Sequence, residues 1–108
     1  MLYTYKIATI NINGISSNTK VQLLRQFLLQ QDIDIALIQE LTSCDLPPLL
    51  GFNLITNVGT EKRGTAFIIK EGLSITKVKR IPSGRGIAGL LKDTWIINIY
   101  APSGAENK

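Results

Sequence analysis

Residues 34–40, Asp-Ile-Ala-Leu-Ile-Gln-Glu, restrict the fold more than any other stretch of this chain. The consecutive apolar residues Ile35, Ala36, Leu37 and Ile38 read as a strand buried on both faces. Gln39 and Glu40 then put an amide and a carboxylate where that strand emerges. In open α/β sheets ligands sit outside the carboxyl ends of strands, where the sheet fixes a side chain and the following loop is free to vary. Glu40 is therefore the first candidate for chemistry.

The preceding segment supplies a partner strand. Residues 6–13 are rich in Ile and Thr, close on Gly14, and read as a strand. Alternation puts Asn11 and Asn13 on one face and Ile10 and Ile12 on the other. Two asparagines at a strand end imply either turn chemistry with Gly14 or a polar site. Residues 16–18 can cap a helix over 19–31, with Val21, Leu24, Leu28 and the adjacent Phe27 on its covering face. Strand, helix and strand form a crossover unit with two parallel strands, so Asn11 and Glu40 end at the same edge.

Further strands are expected over residues 52–57, 65–70 and 73–81, the last less regular and carrying charges. Pro47-Pro48 marks a loop, and residues 82–86, Pro-Ser-Gly-Arg-Gly, mark another. A hairpin follows: residues 87–92, a turn at Asp93-Thr94, and a strand over 95–100. In that last strand Trp95, Ile97 and Ile99 share one face, while Ile96, Asn98 and Tyr100 share the other. Tyr100 reaches a strand end, as Glu40 does.

Composition removes several alternatives. At 108 residues, 44% hydrophobic and 19% charged, the chain is one globular domain and too apolar for disorder. No apolar run approaches the ~20 residues needed to span a bilayer, and the first residues lack a signal-peptide layout. The helix lacks the basic polar face of a membrane-surface segment, so no membrane partner is expected. Cys44 is the single cysteine and there is no histidine, which removes a disulfide, a Cys–His pair and a Cys/His metal site. The +4 charge is modest. Lys62, Arg63, Lys70, Lys77, Lys79, Arg80 and Arg85 are opposed within their stretch only by Glu71, a distribution that suits a phosphate backbone or an ordinary solvated face.

Three segments carry a family resemblance: Thr9-Ile-Asn-Ile-Asn-Gly-Ile15, Ile35-Ala-Leu-Ile-Gln-Glu40 and Trp95-Ile-Ile-Asn-Ile-Tyr-Ala-Pro-Ser103. In this order and spacing they resemble the N-terminal half of the endonuclease/exonuclease/phosphatase superfamily. More narrowly, the chain is similar to the apurinic-endonuclease-like domain of LINE-type, non-LTR retrotransposons. Arg63-Gly-Thr-Ala-Phe-Ile-Ile69 and Ser83-Gly-Arg-Gly-Ile-Ala-Gly89 sit where that group has similar segments. The resemblance implies an α/β fold, the first half of a four-layered α/β sandwich with a mixed sheet and one covering helix. It makes residues 1–108 a partial domain.

The same resemblance implies magnesium-dependent hydrolysis of DNA phosphodiesters, with manganese as the alternative metal. Glu40 would be the principal metal ligand and Asn13 a weaker one. Asn11 and Tyr100 would be catalytic with Glu40, and Asn11, Asn98 and Tyr100 would meet the substrate phosphate. The implied partners are DNA, the C-terminal half of the domain and a reverse transcriptase in the same polyprotein; nuclear localisation follows by analogy, although no basic import cluster stands out.

Several family features are missing. The Gly-Asp-Phe-Asn and Ser-Asp-His segments do not occur, Ser103 stands where many relatives have asparagine, and Leu41 follows the glutamate where threonine is frequent. The chain alone is expected to be inactive, with its inner apolar face awaiting a second sheet from the other half. Two rival readings share these residues: a remnant that binds nucleic acid through the basic stretch, and a phosphodiesterase or phosphatase acting on a smaller phosphorylated substrate.

Overall fold

The computed structural model of the protein describes residues 4–14, 18–42, 49–59 and 64–100. The expected cap residue Ser16, Cys44, the Pro47-Pro48 loop, Lys62, Arg63 and the residues after Tyr100 lie outside that set. Among the described residues seven strands and one α-helix follow the anticipated order: β1 (Ile7–Asn11), α1 (Asn18–Gln30), β2 (Ile35–Leu41), β3 (Phe52–Val58), β4 (Gly64–Lys70), β5 (Thr76–Ile81), β6 (Gly86–Leu91) and β7 (Thr94–Ile99). A short 3-10 turn, Pro82–Gly84, separates β5 from β6.

The crossover unit forms as its pattern requires. β1 and β2 pair in parallel, with Asn11 opposite Gln39. β2 also pairs antiparallel with β4, and β4 with β3, giving a mixed sheet of order β1-β2-β4-β3. Helix α1 has no acidic residue in its first turn and no basic residue in its last. At 13 residues it would be marginal alone, so its packing holds it. Val21, Leu24 and Leu28 are buried against Ala36, Ile38, Ala66 and Ile68 of the sheet, each side chain contributing about 1.5–3 kcal/mol. Phe27, expected on this face, is 45% exposed; it lies one position off the covering stripe.

The second sheet departs from expectation. β5, β6 and β7 form a separate antiparallel sheet of order β5-β6-β7, and it packs on the side of the first sheet opposite α1. Ile35, Phe67, Ile69, Ile87 and Leu91 are buried between the two sheets. The inner apolar face expected to lie open is thus covered by the chain's own hairpin strands. Gly89 leaves room for Ile75, since a Cβ there would run into the Ile75 side chain.

What remains uncovered is the outer face of the second sheet, where Trp95, Ile97 and Ile99 are 44%, 56% and 61% exposed. The helix, sheet and sheet are three layers of the anticipated four-layered sandwich. The β6–β7 turn falls one residue earlier than its sequence suggested: Lys92 takes a left-handed φ of 53° and Thr94 opens β7.

The two ends of the sandwich differ in chemistry. At one, Lys70 reaches Asp32 at 2.9 Å and Asp34 at 3.7 Å, while Asp34 accepts the Lys6 backbone N–H. The Lys70 ammonium lowers the Asp32 pKa below its ordinary value, but both groups are exposed and the pair contributes little to stability.

At the other end lie the last residues of β1, β2, β3 and β7 and the first of β4 and β6. The Pro82–Gly84 turn is anchored there: Asn57 Nδ2 donates to the carbonyls of Ile81 and Gly86, and Thr65 Oγ1 donates to that of Gly84. A Cβ on Gly59 would collide with the Ser83 backbone. Gly59→Ala is expected to displace this turn at a cost of about 1–3 kcal/mol, read as a lower urea midpoint.

Candidate active site

Strict alternation would hide Glu40. Leu37 belongs to the cluster between the sheets, Ile38 to the helix side, and Gln39 again faces the second sheet. The next side chain should return towards α1. A β-bulge intervenes: the register jumps between Gln39, opposite Thr65, and Leu41, opposite Gly64, so Glu40 is the extra residue. Its φ of 57° is left-handed, a conformation that costs a non-glycine residue about 1–3 kcal/mol. Leu41 takes the buried place on the helix side, and Glu40 turns to the end of the sandwich, partly buried.

Tyr100 meets it from the opposite sheet. Its hydroxyl donates to Glu40 Oε1 at 3.4 Å, long for a hydroxyl–carboxylate bond. The pair is adjacent without being clamped, and both groups remain able to take another partner. The Tyr100 backbone N–H donates to the Arg85 carbonyl at 2.8 Å, which places exposed Arg85 beside the tyrosine on the anchored turn. The sequence places Arg85 in a basic stretch and in a family-like segment, and neither assigns it to the site.

Asn11 is brought to this end by its pairing with Gln39. Its Oδ1 accepts the Asn13 N–H at 3.0 Å, and Asn13 is left-handed at φ 47°. The alternation ends at Asn11, so the two asparagines follow turn geometry and do not share a strand face. The turn is tied to the bulge, because the Ile12 and Gly14 N–H groups donate to the carbonyls of Gln39 and Glu40. Turn chemistry accounts for Asn13; both amides stay exposed at the rim of the Glu40 end.

Asn98 lies deeper than its expected phosphate contact requires. It is 2% exposed, and its Nδ2 donates to the carbonyls of Ile38 at 2.9 Å and Ala66 at 3.0 Å. Its Oδ1 accepts from Gln39 Nε2 at 2.8 Å, and that nitrogen is also within 3.0 Å of Thr9 Oγ1 and the Leu37 carbonyl. With both amide protons engaged, Asn98 has no donor left for a phosphate oxygen. Gln39 and Thr9 were absent from the anticipated site. A polar Gln39 on a face otherwise filled by Ile35 and Leu37 was the available signal.

Among the described residues no three His, Cys, Asp or Glu side chains gather as a metal cluster. The donor set at Glu40 is one carboxylate with two rim amides and a phenol, all hard oxygen donors. It suits a cation that keeps most of its waters and fills its remaining positions from substrate phosphate, and does not suit a self-sufficient protein cage.

Four described members of the basic stretch have separate neighbours. Lys70 is at the far end, Arg80 Nε donates to the Thr56 carbonyl, Lys79 lies 5.6 Å from the Trp95 ring centroid, and Arg85 is at the Glu40 end. No helix among the described residues is long and apolar enough to cross a membrane.

No known family's sequence profile matches the chain, and no curated protein matches it by sequence. Solved structures do match in fold. An AP endonuclease from Archaeoglobus fulgidus aligns with a TM-score of 0.73 at 21% identity, over 94% of this chain and 42% of that one. The 3′ phosphatase NExo from Neisseria, bound to product DNA hairpin, aligns at 0.70 and 22% identity, over 90% and 41%. The endonuclease domain of TRAS1, a telomere-specific non-LTR retrotransposon, aligns at 0.57 and 15% identity, over 91% and 46%. The fold is thus of the AP-endonuclease type that the three sequence segments implied, and the chain spans less than half the length of these structures.

Proposed function

We propose that this chain, folded as part of an AP-endonuclease-type domain, is the portion of a divalent-cation-dependent DNA phosphodiester hydrolase that presents the metal-side carboxylate and the phosphate-binding phenol. The observation that carries this reading is the Glu40 bulge: a strained backbone aims the carboxylate away from the core and towards the Tyr100 hydroxyl. Such strain persists where surrounding structure over-determines it, and it clusters at functional sites.

Glu40 would hold magnesium, or manganese in its place, with Asn11 and Asn13 contributing to the water shell at the rim. When bound, such a cation polarises a phosphate oxygen and stabilises developing charge on the leaving oxygen. Tyr100 donates its hydroxyl hydrogen to a non-bridging phosphate oxygen, orienting the phosphorus for in-line attack. Arg85, exposed beside it, adds positive charge along the path of the DNA backbone. The aspartate and histidine segments of the family are missing from the sequence, and residues 1–108 are read as a partial domain that needs its complement for turnover.

Supercoiled plasmid incubated with the pure chain and Mg2+ is expected to stay intact, as judged by agarose gel. Nicking that disappears in Glu40→Ala would overturn the proposed inactivity while supporting the site. One of the similar structures is named a 3′ phosphatase, and Glu40 and Tyr100 would serve a terminal phosphomonoester equally well. A duplex carrying a 3′-phosphate belongs beside the plasmid in the assay. Metal-independent, salt-sensitive DNA binding, unchanged in Glu40→Ala, would favour the binding remnant instead.

A further inference from the structure

The geometry points to Asn98, acting through Gln39, as the positioning residue that sets Tyr100 opposite Glu40. β2 and β7 belong to different sheets, so no ladder fixes how far one slides along the other. The apolar contacts between sheets are non-directional and tolerate sliding; hydrogen bonds do not. The Asn98 amide crosses that gap with three of them, to the Ile38 carbonyl, the Ala66 carbonyl and Gln39 Nε2, at 2.8–3.0 Å.

Its place in the chain makes the latch specific to the site. Gln39 immediately precedes the bulged Glu40, and Tyr100 follows Asn98 by two residues on the same face of the strand. Through Gln39 the latch also reaches Thr9 on β1, the strand that ends in Asn11. A slide of one sheet over the other by one residue moves its side chains about 3.4 Å along the strand direction. That distance equals the whole Tyr100–Glu40 separation, so the register of the two sheets decides whether the phenol and the carboxylate meet.

This inference rests on the reading of Glu40 and Tyr100 as the site, but it can be tested without turnover. In the 108-residue chain, the Tyr100 ring is expected to show a nuclear Overhauser effect to the Glu40 side chain. Asn98→Ala and, with less disturbance of the core, Gln39→Leu are expected to lose it while keeping a dispersed amide spectrum. Ile69→Val, which trims the same intersheet core beside Ile35 and away from the latch, is expected to keep it.

In parallel, Mn2+ binding read by paramagnetic broadening at Glu40 should weaken about ten-fold or more in either latch variant, and no further in the double variant. An undiminished effect in folded Gln39→Leu overturns the positioning role, as does an equal loss in Ile69→Val. If Asn98→Ala does not fold, Gln39→Leu decides. A wild-type chain that shows the Tyr100–Glu40 contact but binds no Mn2+ there would sink the proposed metal site and leave the latch standing.

Discussion

Glu40→Gln is expected to abolish divalent-cation binding at the end of β2 while leaving the fold intact. One unit charge about 4 Å from another contributes about 4 kcal/mol at an effective dielectric near 20, so losing the only carboxylate among the described residues at this end should weaken binding at least 100-fold. The measurement is Mn2+-induced broadening of the amides at 11–14, 39–41 and 99–100, which should vanish in the variant. Binding that persists would mean the cation sits elsewhere.

Glu40→Gly makes a second arm. Glycine takes a φ of 57° without the steric cost borne by glutamate, and the site should be lost with little or no loss of stability. A large destabilisation would show instead that Glu40 holds the fold together.

Phe67→Ala is expected to produce the largest loss of stability. The ring is fully buried between the two sheets with Ile35, Ile69, Ile87 and Leu91. Its removal should cost about 3–5 kcal/mol, against a total of about 5–15 kcal/mol for a small domain. Equilibrium urea unfolding should show a sharply lowered midpoint or no folded baseline. Ile99→Ala, on the exposed outer face, should shift the midpoint by no more than about 0.5 kcal/mol. Similar losses in the two variants would mean that the outer face is covered in solution.

Much of this architecture could be read from local pattern. The Ile-rich apolar runs placed each described strand to within a few residues, and the helix between β1 and β2 required their parallel pairing. Alternation in β7 correctly grouped Asn98 with Tyr100. What failed was whatever depends on contacts between distant segments. Nothing in residues 73–99 states whether those strands extend the first sheet or fold across it, because a strand buried on one face looks the same in both arrangements.

The bulge at Glu40 was equally hidden, since Gln-Glu-Leu contains no glycine to announce a left-handed residue. The cost of that conformation is offset by tertiary contacts that local propensity does not contain. The setting of Asn98 is hidden for a related reason. An asparagine near a strand end suits a ligand or a buried latch alike, and only the carbonyls of Ile38 and Ala66 above it distinguish the two.

The separation along the chain between the two halves of this site has a kinetic consequence. Tyr100 and Glu40 lie 60 residues apart, as do Asn98 and Ile38, whereas the β5–β6 and β6–β7 pairings are closed by short turns. Hairpins of that kind form in microseconds, and distant pairings wait for a long loop to close. The contact should therefore be made late in folding, after the second sheet exists, and partial openings should break it without melting either sheet. Exchange of the Asn98 side-chain amide, whose protons are bonded to the Ile38 and Ala66 carbonyls of the first sheet, would then measure the docking of one sheet on the other separately from the survival of each.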